Sequence, residues 1–168
     1  MILTVTRLGT EAMAEVLSVA ETITFTRFAV GDGTFNTADD PRDRESLIHS
    51  VASVGITIVR KESDGVAVVA DMDNVTIPGG TVLREVGVYA QPNGGSEILF
   101  AYGYTTTPET VPPRAEDTYE RRFISHIAMG DDELELAIEY DTYAESIFAA
   151  LGLVVVDGRL CQTYTPEV

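Results

Sequence analysis

The chain has 168 residues, 45% of them hydrophobic, which is enough to bury one substantial core and too few for two. With 27 acidic and 11 basic residues its formal charge is −16, a surface that repels phosphate and so argues against binding nucleic acid or an anionic membrane. A single cysteine, Cys161, excludes an internal disulfide and a multi-cysteine metal centre.

Lys61 is the only lysine, so ten of the eleven basic residues are arginines. The acidic excess fits either a saline or GC-rich host background or a basic partner. The N-terminal residues carry no basic leader ahead of a long apolar core, and the apolar runs fall well short of the roughly 20 residues that cross a bilayer, so the expectation is a protein made and kept soluble in the cytoplasm.

Within residues 10–20, Ala12, Met13, Val16, Leu17 and Ala20 recur at three- and four-residue spacing, which predicts an amphipathic helix with Thr10 as its cap. The period then falls to two. Ile23 and Phe25 alternate with Thr24 and Thr26 in a strand that stops at Gly31-Asp32-Gly33. Residues 34–45 read as an exposed loop with a short helical turn after Pro41. Residues 50–60 and 66–72 form a predicted hairpin through the turn at residues 62–65, and residues 82–90 and 97–105 a second through Asn93-Gly94-Gly95. Pro108, Pro112 and Pro113 make residues 106–117 a surface connection. A third hairpin joins residues 119–129 to residues 133–140, whose alternation of Leu134, Leu136, Ile138 and Tyr140 with Glu133, Glu135 and Glu139 predicts one buried and one wet face. Residues 142–151 predict a short helix, and Asp157-Gly158 a two-residue hairpin after Val154, Val155 and Val156. The expected class is α+β: mostly antiparallel β hairpins with an N-terminal amphipathic helix and a short C-terminal helix.

Two segments far apart in the chain combine strand formers with glycine and charge: Phe28-Ala29-Val30-Gly31-Asp32-Gly33 and Arg84-Glu85-Val86-Gly87-Val88-Tyr89. Neighbouring strand residues face opposite ways, so Arg84 or Glu85 must lie among apolar side chains, where an unpaired charge is costly. The expected partner is Asp32 or the backbone amides of the Gly31-Asp32-Gly33 turn, tying the first long strand to the central hairpin; the alternative is that both charges lie at a sheet edge or a subunit interface. Histidines 49 and 126 sit in no catalytic motif, and Ser125 and His126 would point apart on a strand, so an enzyme is not expected. Acidic clusters at residues 39–43, 71–74 and 131–133 have oxygen donors for Ca²⁺, but Asp71-Met72-Asp73-Asn74 lacks the glycine and glutamate of an EF-hand loop. No P-loop lysine and no dinucleotide glycine spacing is present, and no metal or other cofactor is expected.

The two segments, the helix-forming N-terminus, the hairpin between them and the Gly94-Gly95 turn followed by Ile98-Leu99-Phe100-Ala101-Tyr102-Gly103 together resemble the N-terminal domain of bacteriophage tail-collar and tail-fibre proteins. The resemblance covers roughly residues 1–140. It implies a virion structural protein of the tail, acting in host attachment, with residues 1–140 as the baseplate-attachment domain and residues 141–168 as its C-terminal extension. Gly31, Asp32, Gly33, Arg84, Glu85 and Gly87 are then structural motif residues. Baseplate or tail proteins are the implied partners, in a homotrimer, with a separate fibre shaft protein as a further partner. Beyond the resemblance, the Val154-Val155-Val156 run is too apolar to leave exposed, so Tyr143, Val154, Val155 and Val156 are expected at an oligomer or partner interface. The competing expectation is a carbohydrate-binding module, Ca²⁺-dependent or not, in which Tyr102, Tyr104 and Tyr119 would stack on sugar rings.

Overall fold

Thr6 starts the helix. Its hydroxyl accepts the Gly9 N–H at 3.1 Å and donates to the Leu99 carbonyl at 2.5 Å, so one buried side chain caps the first turn and fastens it to a distant strand. The helix α1 therefore runs Arg7–Val19, and the cap expected at Thr10 is corrected to Thr6; Thr10 instead bonds back to the Thr6 carbonyl from inside the first turn. Ahead of it lies a strand that the periodicity did not announce, β1 at Ile2–Val5, with Leu3 and Val5 fully buried.

The computed structural model describes residues 1–19, 22–61, 65–128, 133–139, 153–156 and 159–162. The further strands are β2 (Ile23–Gly31), β3 (Ser50–Gly55), β4 (Ile58–Lys61), β5 (Gly65–Asp73), β6 (Val82–Pro92), β7 (Ile98–Thr110), β8 (Glu120–Ala128), β9 (Glu133–Glu139), β10 (Leu153–Val156) and β11 (Arg159–Gln162), with a 3₁₀ turn at Pro41–Asp43. Nine strands make one antiparallel sheet in the order β3-β2-β6-β7-β1-β9-β8-β5-β4, and β10 pairs with β11 alone.

The α+β expectation is thereby corrected. The described residues form a predominantly antiparallel β structure whose one α-helix packs on the sheet beside β7, because the hairpins join edge to edge into a continuous sheet instead of leaving a face for a helical layer. The helix expected at residues 142–151 lies outside the described residues. The β6–β7 and β8–β9 hairpins form as expected, the first turning at Asn93 and Gly94, both with positive φ. Strand β7 continues through Pro108 to Thr110, further than expected. Its pairing with β6 jumps from Glu85↔Tyr104 to Leu83↔Glu109, and the proline sits in that irregularity, where no ladder hydrogen bond is demanded of it. The buried face expected of β9 concerns side chains outside the described residues.

Residues 50–61 do not form one arm of a hairpin. The first half, β3, pairs with β2, and the second half, β4, pairs with β5, so a single stretch of chain supplies both ends of the nine-strand order with only Ile56 and Thr57 between them. The sheet must curl for this to happen. Phe28 on β2 and Phe123 on β8, far apart in the strand order, meet across the interior with ring centroids 6.0 Å apart. The core inside the curl takes Leu3 and Val5 from β1, Phe28 and Val30 from β2, Val86 and Val88 from β6, Phe100 from β7 and Phe123 and Ile127 from β8.

Thr6→Ala removes the cap and a buried tie to β7 together, so it should cost about 1–2 kcal/mol of stability, read as a lowered urea midpoint with unchanged slope. A variant as stable as the parent would show that the cap contributes nothing here.

Candidate functional site

The two motif segments lie side by side. In the β2–β6 register Phe28 faces Val88, Ala29 faces Gly87, Val30 faces Val86 and Gly31 faces Glu85. Phe28, Val30, Val86 and Val88 point into the curl. Ala29, Tyr89, Leu99 and Tyr102 lie in a separate cluster with Phe35 and Leu47, two residues of the loop between β2 and β3, so that loop folds back as a cover over the sheet's other face.

Glu85 holds the cover down. It is 1% exposed, and its carboxylate accepts the Ile48 N–H at 2.9 Å, the His49 N–H at 2.8 Å and the Tyr102 hydroxyl at 3.0 Å. A buried carboxylate is tolerable when donors surround it in this way, and hydrogen bonds to an anion are each worth about 1.5–3 kcal/mol. The partner expected for the buried charge is therefore corrected: the amides come from Ile48 and His49, across the loop, and not from the Gly31-Asp32-Gly33 turn. The glycines contribute by leaving room. A Cβ on Gly31 would lie 2.6 Å from Glu85 Oε1, and one on Gly33 would lie 2.5 Å from the same oxygen and 2.9 Å from the His49 nitrogen. Gly87 does the same for the loop's apolar anchor, since a Cβ there would stand 2.5 Å from Leu47 Cδ1 and 2.6 Å from Leu99 Cδ1.

Burial and the adjacent Glu85 charge push the Tyr102 phenol well above its usual range, so it stays a hydrogen-bond donor. Phe35 stacks between Tyr102 and Tyr104, with centroids 5.6 Å and 4.4 Å away. Tyr102 and Tyr119 are buried, at 0% and 4% exposure, so neither presents a face on which a sugar ring could stack; Tyr104 is half-buried under Phe35. Arg84 is half-buried and its positive charge helps depress the Asp32 carboxyl. The larger cause there is a hydrogen bond from His49 Nδ1, and the Asp32 N–H donates to the His49 carbonyl at 3.3 Å. Asp32 thus pins the loop's return from the outside while Glu85 pins it from within.

The acidic clusters at residues 39–43 and 71–74 engage cations and amides of the chain itself, and the side chains of the cluster at residues 131–133 lie outside the described residues. Asp40 and Asp43 engage Arg42 and Arg7, Asp71 engages Arg122, and Asp73 accepts the Val75 and Thr76 amides. Among the described residues no three metal-ligating side chains converge. Tyr143 lies outside the described residues, and of Val154, Val155 and Val156 only the backbone is described, in β10. The sequence reading missed the role of Ile48 and His49, whose contribution is made by backbone amides and leaves no side-chain signature.

Glu85→Leu should leave two amides and a phenol without their acceptor and cost about 2–4 kcal/mol, and Gly33→Ala should destabilise through its collision with the same carboxylate. Glu85→Gln should fall between the parent and Glu85→Leu, because an amide offers a donor where one of the three donors now points; a Gln variant of parental stability would remove the carboxylate from its central role. The His49–Asp32 pair has its own pH signature. His49 is raised above its ordinary value, chiefly by the hydrogen bond to Asp32, so the stabilisation is full below the ordinary histidine value and fades as pH rises through the elevated one; the depressed Asp32 loses its share as pH falls through the carboxylate range. The parent's advantage over His49→Gln in urea should therefore be larger near about pH 5.5 than near about pH 8.5, and smaller in high salt.

A search of the curated proteins and one of the solved structures each return no match. The family model described as phage tail-collar fibre protein, N-terminal, matches residues 1–131, which include every strand from β1 to β8 and all the residues gathered around Glu85. The chain belongs to the phage tail-collar fibre protein family, and so to the structural components of the virion tail that work in contact with other tail proteins.

Proposed function

We propose that this chain is the attachment module of a tail fibre, docking onto the baseplate of a tailed phage, prophage or related contractile particle through protein contacts and without catalysis. One observation carries the reading beyond family membership. Among the described residues Glu85 and Tyr102 are buried against each other and the backbone of the loop they fasten, and Asp32 and His49 pair at its outer side, so all four stiffen a surface. A docking body that must bear load across a tail gains from that stiffness, because a partner then orders little on binding. The active unit is a homotrimer, in keeping with closed cyclic assembly, and a separate shaft protein continues the fibre.

Two measurements test this. Light scattering on the purified protein should give about three times the 18.2 kDa chain mass, with no change on adding Ca²⁺. An epitope-tagged chain expressed during infection should co-sediment with intact tails and decorate the baseplate end in immunogold images, whereas a chain found only in the unassembled fraction would overturn the attachment role.

A further inference from the structure

Strands β2 and β3 lie side by side and antiparallel, a pairing that a turn of about two residues can make, yet residues 32–49 separate them. The two ends of that connection are fixed close together. The Asp32 N–H donates to the His49 carbonyl at 3.3 Å, their side chains bond again, and Phe35 and Leu47 are buried in one cluster with Tyr102. Between these anchors the chain changes character. No residue of the arc 36–46 is buried, and its backbone hydrogen bonds, from the Asp39, Asp43 and Arg44 N–H groups to the Asn36, Asp40 and Pro41 carbonyls, close within the arc itself. Asp43 and Asp40 do reach the helix through Arg7, but that side chain is 65% exposed and such pairs contribute little. A segment with few buried contacts and local hydrogen bonds opens at far lower free energy than the sheet beneath it.

A cut in the arc divides the chain into two pieces that the sheet has interleaved. The first carries β1 and β2, and each of these lies between strands of the second: β1 between β7 and β9, β2 between β3 and β6. Parting the pieces means undoing four ladders at once. The neck also survives the cut, because Phe35 stays with the first piece while Leu47, Ile48, His49 and Glu85 stay with the second, all in their native contacts. Arg42 and Arg44 stand inside the arc, so a protease that recognises arginine finds its residue where the backbone is least held.

We infer that residues 36–46 are a strap and a proteolytic modification site, opened by an arginine-directed protease while the domain stays one folded body. The protease hydrolyses the peptide bond after Arg42 or Arg44, water adding across it to leave an arginine carboxylate and a free amine on Asp43 or Glu45. The cut frees the ends of the arc and leaves its two anchored feet in place. The strap goes beyond the attachment reading and does not depend on it.

Brief trypsin treatment of the full chain, followed by mass spectrometry, should give cuts after Arg42 or Arg44 about tenfold or more faster than cuts after Arg27 in β2 or Arg84 in β6. A second variant isolates the nick from cuts elsewhere. The recognition sequence of a site-specific protease is inserted between Arg42 and Asp43, and the uncut protein should keep the parent's circular dichroism. After complete cutting, light scattering in native buffer should return the uncut mass, with the pieces parting only in urea and joining again when it is removed. Cuts in β2 or β6 as early as those in the arc would overturn the inference, as would an insertion that unfolds the protein or pieces that part in native buffer.

Discussion

A carboxylate buried in a sheet must be surrounded by donors, and the architecture around Glu85 follows from that demand. Its three donors come from the loop before β3 and from β7, so meeting the demand fixes the path of residues that lie far away in the chain. Gly31 and Gly33 are small because the carboxylate occupies the space where their side chains would be, and Gly87 is small because Leu47 rests there once the loop has come down. The aromatic layer of Phe35, Tyr102 and Tyr104 closes over the same ground and keeps water from competing for the donors.

The curl of the sheet is a second constraint, and it works together with the first. Residues 50–61 leave the loop that Glu85 fastens, run along β2, bend at Ile56 and Thr57, and join β5. Fixing Ile48 and His49 therefore fixes where β3 begins and with it the line along which the two ends of the sheet approach one another. Outside this line Arg27 binds both oxygens of Glu97, lies 3.6 Å from the centre of the Tyr89 ring and donates to Ser53, so β2, β3, β6 and the turn ahead of β7 are also cross-tied.

What could be read in advance was what local chemistry decides. The turn at Asn93-Gly94, the helical turn after Pro41 and the pairing of residues 153–156 with residues 159–162 stand where glycine, proline and local pattern put them. What could not be read depends on distant partners. The segment Ile2–Val5 is four residues long and becomes a strand because β7 and β9 flank it. Thr6 rather than Thr10 became the cap because Leu99 was waiting for its hydroxyl. Residues 50–60 alternate like one strand, and nothing in their pattern says that Gly55 is where the chain changes neighbours. The pairing of the two motif segments was within reach of their charge and glycine content, but the identity of the donors was not, since any residue has a backbone amide.

The position of β1 has a consequence for how the molecule comes into being. It lies between β7 and β9, with Leu3 opposite Gly103 on one side and Leu134 on the other. Strand β1 is thus flanked by strands made much later than itself, and it cannot find both neighbours until synthesis has passed Glu139. Its contacts are among the longest in sequence that the fold contains, so loop closure makes them slow to form. Until then Leu3 and Val5 lack one of their two flanking strands, and the middle of the sheet stays incomplete.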